Sequence, residues 1–265
     1  MLGYFTHLSQ QPAYRRVAAT DSSLATFLNH EKYPGRVDNS IDYYDKGMLI
    51  AFAVDALLRQ GGGQSLDTAF SAFYGRFFGD GSTVPSDYVG YTTADVVAFF
   101  NGVSPGLGDT IGAWVEEPAG LDTPGVLAAV GLRPEYDDIH RLGIFFMDDG
   151  EPTIYGVADD MPAASGLAPG DVIVGVNGYA YTPAGLAWAA SSPAPVTLSV
   201  TRGHRRLDVT MTPAPRRTST GLTWCGSEDD ARLISTWLAS EFAPEPGTVL
   251  PVDFYENFHG VEKMI

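Results

Sequence analysis

Cysteine and positive charge are what this 265-residue chain has least of. Cys225 is the single cysteine, so neither an internal disulfide nor a thiolate metal site can form; beside Trp224 it reads as a small packed hydrophobe. Sixteen Lys and Arg stand against 32 Asp and Glu, a net charge of -16. The deficit is even: eight basic and 14 acidic residues in 1–133, four and ten in 134–215, four and eight in 216–265. No segment offers the basic stripe that a phosphate backbone requires, which excludes nucleic acid as a partner. The same charge opposes adhesion to anionic membranes. Long apolar runs are missing too. The longest, Met48 to Val54, has seven residues, against the roughly 20 that span a bilayer. Met1-Leu2-Gly3-Tyr4 shows no basic segment leading into an apolar one, so no signal peptide is visible, although an export signal could lie upstream.

What is present is enough to fold. Hydrophobic residues make up 45% and aromatics 12%, which excludes wholesale disorder. Residues 41–59 predict a helix, with Tyr44, Gly47, Met48, Ala51, Val54, Asp55 and Leu58 at i, i+3, i+4, i+7 spacing, stopped by Gly61-Gly62-Gly63. A second helix is expected from an N-cap at Ser65, and a third after Thr92 or Thr93. Shorter ones are expected near Thr110–Val115 and Thr123–Val130. Everything from about 20 to 132 reads as helical.

After Arg133-Pro134-Glu135 the pattern changes to short β-rich runs: Leu142–Met147, Thr153–Val157, Val172–Val176, Val196–Thr201 and Arg206–Met211. Short helical pieces fall near Pro162–Ser165 and Pro183–Ala190. The expected division is a helical domain over 1–133, a β module over 139–213, and a linker, helix and extended tail over 214–265. Arg216 to Gly221 reads as linker and Asp229 to Phe242 as a final helix. The aromatic density of the extension suggests docking on the helical domain. The fold class is α plus α+β: a helical bundle, then a small β module of five to six strands, then a C-terminal helix and tail.

Two sets of motifs resemble known families. Arg141-Leu142-Gly143-Ile144-Phe145, then Ala163-Ala164-Ser165-Gly166-Leu167-Ala168-Pro169-Gly170-Asp171-Val172-Ile173, then Val176-Asn177-Gly178 resemble a PDZ domain of the bacterial type. The resemblance implies that Leu142, Gly143, Ile144 and Phe145 form the loop whose backbone N–H groups receive a peptide carboxylate, the peptide joining the sheet as an added strand. The implied partner is a peptide or protein C-terminus. A groove filled by the protein's own chain, or one packed on the helical domain, is the alternative.

Asp42-Tyr43-Tyr44-Asp45-Lys46-Gly47-Met48-Leu49-Ile50-Ala51, running on to Val54-Asp55-Ala56-Leu57-Leu58-Arg59, resembles the "YYxKGxLxAxxLDxxxR" helix of the glycyl aminopeptidase family. These are thermolysin-like zinc peptidases with a C-terminal PDZ domain. Ser65-Leu66-Asp67 and Tyr91-Thr92-Thr93-Ala94-Asp95-Val96 are similar to two further segments of that family, so the resemblance covers about 20–213. It implies that the helical part is the end of a catalytic domain. It also implies that the hydroxyl of Tyr44, with Tyr43 as second choice, donates to the oxyanion of a tetrahedral intermediate. A neutral phenol suits that task; an aromatic that merely packs its helix and bonds Asp42 or Asp45 is the other reading.

The family's zinc helix is absent. HExxH needs two imidazoles one turn apart with a glutamate base between them. Of His7, His30, His140, His204 and His259, only His30-Glu31 begins such a motif, and Pro34 stands where the second His is needed. His259 with Glu262 lacks a third ligand. No metal ligands are therefore assigned and no cofactor is expected in this chain, zinc being expected in a full-length relative. The resulting expectation is the C-terminal part of a PDZ-containing metallopeptidase, inactive alone. The alternative is a non-catalytic PDZ scaffold that recognises C-terminal carboxylates.

Overall fold

Polar side chains cap several of the helices. The computed structural model of the chain describes residues 2–26, 36–79, 90–146, 151–251 and 263–265. The first half is a layer of helices: α1 (Leu2–Gln10), α2 (Ala19–Ala25), α3 (Arg36–Asn39), α4 (Tyr43–Gly62), α5 (Leu66–Phe78), α6 (Thr93–Val103), α7 (Leu107–Glu116) and α8 (Thr123–Ala129). The Asp42 carboxylate caps α4, accepting from the N–H groups of Tyr44 at 2.9 Å and Asp45 at 3.0 Å. That satisfies two orphan donors and sets a negative charge against the helix dipole. Ser65 caps α5 as expected, and Thr92 forms a capping box with Asp95 on α6. Buried Asp55 accepts from Arg59 Nε at 2.9 Å and from the N–H of Leu66 at 2.7 Å, fastening the end of α4 to the start of α5. Leu8, Tyr14, Ile41, Leu49, Val54, Phe100 and Ile111 fill the shared core. α1 escapes the sequence reading because Thr6, His7, Ser9 and Gln10 interrupt its apolar period.

The second half is mostly sheet: β1 (Leu132–Arg141), β2 (Ile144–Phe146), β3 (Ile154–Val157), β4 (Val172–Val176), β5 (Tyr179–Ala180), α9 (Pro183–Ala190), β6 (Val196–Arg202), β7 (Arg205–Met211), β8 (Ala214–Trp224), α10 (Glu228–Leu238), β9 (Val249–Pro251) and β10 (Lys263–Met264). The five strands expected from β-rich runs are β2, β3, β4, β6 and β7. They lie in two sheets, ordered β10-β2-β3 and β5-β4-β6-β7. Leu142, Ile144, Ile154, Ile173, Leu186, Leu198 and Val200 pack between them.

β1 and β8 differ from expectation. Residues 216–221 are not a linker. They pair antiparallel with β1 over the register Leu132↔Trp224 to Arg141↔Ala214, interrupted by a bulge at Glu135/Tyr136. The partner strand lies some 80 residues away and the segment is rich in Arg, Ser and Thr, so no local apolar alternation reveals it. Thr218 and Ser219 are nevertheless buried. This ribbon carries the β module at one end, meets α8 through β1 and lies against α1 through β8.

α10 ends at Leu238 rather than Phe242, and opens with a Ser227–Asp230 capping box. Trp237 stacks on Phe52 of α4, ring centroids 4.7 Å apart, so this part of the extension docks on the helical layer. Cys225 is exposed rather than packed beside Trp224. His30, His259 and the aromatic run 253–260 lie outside the described residues. Among the described residues no helix is long and apolar enough to cross a membrane.

Asp171 shows why the Gly170-Asp171 turn is a strong motif. Its fully buried carboxylate takes Arg202 Nε and Nη2, both at 2.7 Å, and the N–H of Ala168 at 2.9 Å. One side chain thus closes the turn and ties it to β6. Asp171→Asn removes the charge that holds the guanidinium. It should cost about 1.5–3 kcal/mol, read as a lower urea midpoint at unchanged slope.

Candidate peptide-binding groove and the Tyr44 helix

β1 ends at Arg141, and the chain turns through Leu142 and Gly143 before β2 begins. Gly143 sits at φ 86°, and a Cβ there would lie 2.2 Å from the Cβ of Met161. Only glycine fits both conditions. Leu142 and Ile144 send their side chains into the module's core, which leaves their N–H groups facing outward from it.

Three of those N–H groups converge on one atom. The N–H groups of Leu142 (3.1 Å), Gly143 (2.7 Å) and Ile144 (3.1 Å) all donate to the main-chain oxygen of Ile265, the last residue of the sequence. A carbonyl oxygen has two lone pairs; three convergent amides are a nest suited to an anionic oxygen such as a carboxylate's. The N–H of Ile265 donates back to the Ile144 carbonyl at 2.9 Å. β10 continues the pairing antiparallel to β2, Met264 opposite Phe145 and Lys263 opposite Phe146. Of the four residues the sequence singles out, Leu142, Gly143 and Ile144 supply the donors, while Phe145 supplies a ladder position and a buried ring.

The tail's side chains are seated as well. Ile265 packs on the core of the module. Met264 is buried in a separate cluster with Val37, Phe145, Ala158 and Met161. Arg141, just before the loop, is half-buried. Burial pushes its guanidinium pKa down, and its Nε has no hydrogen-bond partner among the described residues. A buried, under-compensated cation favours an anion nearby. Sequence reading misses Val37, Met161, Met264 and Ile265; the apolar pair closing the sequence is the signal that could have found the last two.

The Tyr44 helix is held from below. Lys46, 1% exposed, donates from Nζ to the Glu117 carbonyl at 2.8 Å. Burial lowers its pKa, and the charge of Glu117 partly offsets that. Asp45 meets Nδ1 of His7 at 3.2 Å. Tyr44 projects outward at 75% exposure, its ring 4.4 Å from that of Tyr43. The motif therefore divides: Asp42 caps, Lys46 anchors, and Tyr44 faces solvent. Among the described residues no three His, Cys, Asp or Glu side chains converge on a point that could hold a metal ion.

Two substitutions test this geometry. Gly143→Ala forces a left-handed alanine into Met161 and should cost at least about 1–2 kcal/mol from the backbone alone, seen as a lower Tm. Lys46 bears on pH. Its lowered folded pKa means that the buried ammonium costs stability below that pKa, and the cost fades as pH rises toward the ordinary lysine range. Against Lys46→Met, the native chain should gain in urea stability between about pH 7 and pH 10; a flat or falling difference contradicts the assignment.

No family model matches the chain, and no curated protein matches it. Its fold is similar to that of a solved aminopeptidase N family protein from Idiomarina loihiensis, with a TM-score of 0.68 at 18% identity. The match covers 92% of this chain and 43% of that protein. The likeness is one of fold, mixed helix and sheet throughout, and the chain spans less than half the length of the aminopeptidase N family protein whose fold it shares.

Proposed function

We propose that this chain is the C-terminal part of a zinc aminopeptidase of the glycyl aminopeptidase kind. In this reading α1–α8 form the end of the catalytic domain, and Leu142 to Met211 a PDZ module. The observation that carries it is the fold shared across 92% of the chain with an aminopeptidase N family protein. The ordered motifs from Asp42 to Arg59, Ser65 to Asp67 and Tyr91 to Val96 support it. So does the outward position of Tyr44, which is 75% exposed near the start of α4. Peptide hydrolysis puts negative charge on the former carbonyl oxygen, and a fixed neutral phenol can donate to it. The metal ligands belong to residues outside this chain, since His30-Glu31-Lys32-Tyr33-Pro34 cannot complete an HExxH helix.

A second reading has its own observation. The three amides at Leu142–Ile144 suit a carboxylate without any catalytic partner, as in a non-catalytic scaffold for peptide C-termini.

Two results test these readings, and the second separates them. The chain alone should show no zinc-dependent hydrolysis of glycyl or alanyl anilides; measurable turnover contradicts its incompleteness as a peptidase. Genomic sequence upstream of the Met1 codon should encode, in frame, an HExxH helix and a later glutamate. A stop codon with no such segment before it overturns the peptidase reading and leaves the scaffold.

A further inference from the structure

We propose that Lys263–Ile265 is a displaceable latch. In this view the groove along β2 is closed in cis by the chain's own last residues, and its opening is coupled to the seating of the β module on the helical layer. The proposal rests on the carboxylate-groove reading of Leu142–Ile144.

Closure follows from strand geometry. β2 has β3 on one side, and β10 is its neighbour on the other. Without β10 it is an edge strand, with an anion nest at its start and unpaired backbone groups beyond. The tail satisfies both, placing its oxygen on the three amides and a strand alongside. An outside peptide would need the same atoms. Pocket and ladder also state what it must look like: a free carboxylate, an aliphatic last residue where Ile265 meets the core, and a large apolar residue before it.

Coupling follows from Met264. Its buried side chain shares one cluster with Phe145 and Met161 of the module and with Val37 of α3. Val37 packs so tightly that a Cβ on Gly156 of β3 would lie 1.8 Å from its Cγ2. The tail also runs beside α1. Withdrawing Met264 therefore opens a void where helical layer and module meet, and that contact must relax or refill. A bound peptide with a small penultimate residue would leave the void unfilled.

The latch is suited to displacement. Its strand is two residues long, so its backbone pairing is small. Its advantage is tethering, which presents an attached segment at an effective concentration on the order of millimolar. Removing Lys263–Ile265 should therefore expose the three amides and the edge of β2 to an outside peptide.

The probe is a labelled decapeptide of sequence 256–265 with a free carboxylate, followed by fluorescence anisotropy. It should bind at least ten-fold more tightly to the chain lacking 263–265, and to the chain with two glycines appended after Ile265, than to the native chain. Amidating the peptide should abolish binding. Equal affinity for native and altered chains overturns the latch and leaves the groove standing. Binding to none of them overturns the groove reading and the displaceable latch with it. Hydrogen exchange reports on the latch without any peptide. The amides of Leu142, Gly143 and Ile144 should be protected in the native chain and lose protection on diglycine extension. Unchanged protection overturns closure in cis even if the truncated chain fails to fold.

Discussion

The pairing of β1 with β8 is the constraint on which the other features depend. It joins residues 132–141 to 214–224, so the two ends of the β module leave from one anchored ribbon. The ribbon lies on α1 through β8 and on α8 through β1, and it delivers Arg141 directly to the Leu142–Gly143 turn. The position of the nest against α3 is set there. Met264 can bridge Val37 and Phe145 only because the ribbon holds helical layer and module in register.

Charge works within that frame rather than creating it. A chain of net charge -16 spends its few cations at junctions. Arg202 closes the Asp171 turn, and Arg59 braces Asp55 at the α4–α5 corner. Arg216 meets Asp160 at 2.6 Å, and Arg16 pairs with Asp159, both between module and surroundings. Lys46 differs, being a buried ammonium held mainly by one carbonyl. That position depresses its pKa and makes its anchoring role sensitive to pH.

Much of this was legible in the sequence, and the reasons are local. The cap at Ser65 and the start after Thr92 announce helices because a side-chain oxygen beside orphan N–H groups is a short-range effect. The module's strands show through β-branched runs, and the donor loop through Leu142-Gly143-Ile144 beside Gly170-Asp171. Long-range effects were hidden. β8 looks like linker because its partner lies far off in sequence, and Thr218 and Ser219 gain their burial only from that pairing. The occupant of the groove was one of the open alternatives, since no local pattern tells whether Met264 and Ile265 meet their own module or solvent. Tyr44 was singled out by resemblance; the structure places it outward on a firmly capped helix, consistent with either reading of its hydroxyl.

One ribbon thus joins the helical layer to a β module whose Leu142, Gly143 and Ile144 amides meet the main-chain oxygen of Ile265. The most direct test is a nuclear Overhauser measurement on the native chain with Met ε-methyl and Phe ring labelling. Cross-peaks from the Met264 methyl to the Phe145 ring and the Val37 methyls are predicted. A Met264 methyl that shows none of these contacts and shifts as in a free peptide would contradict closure of the groove from within.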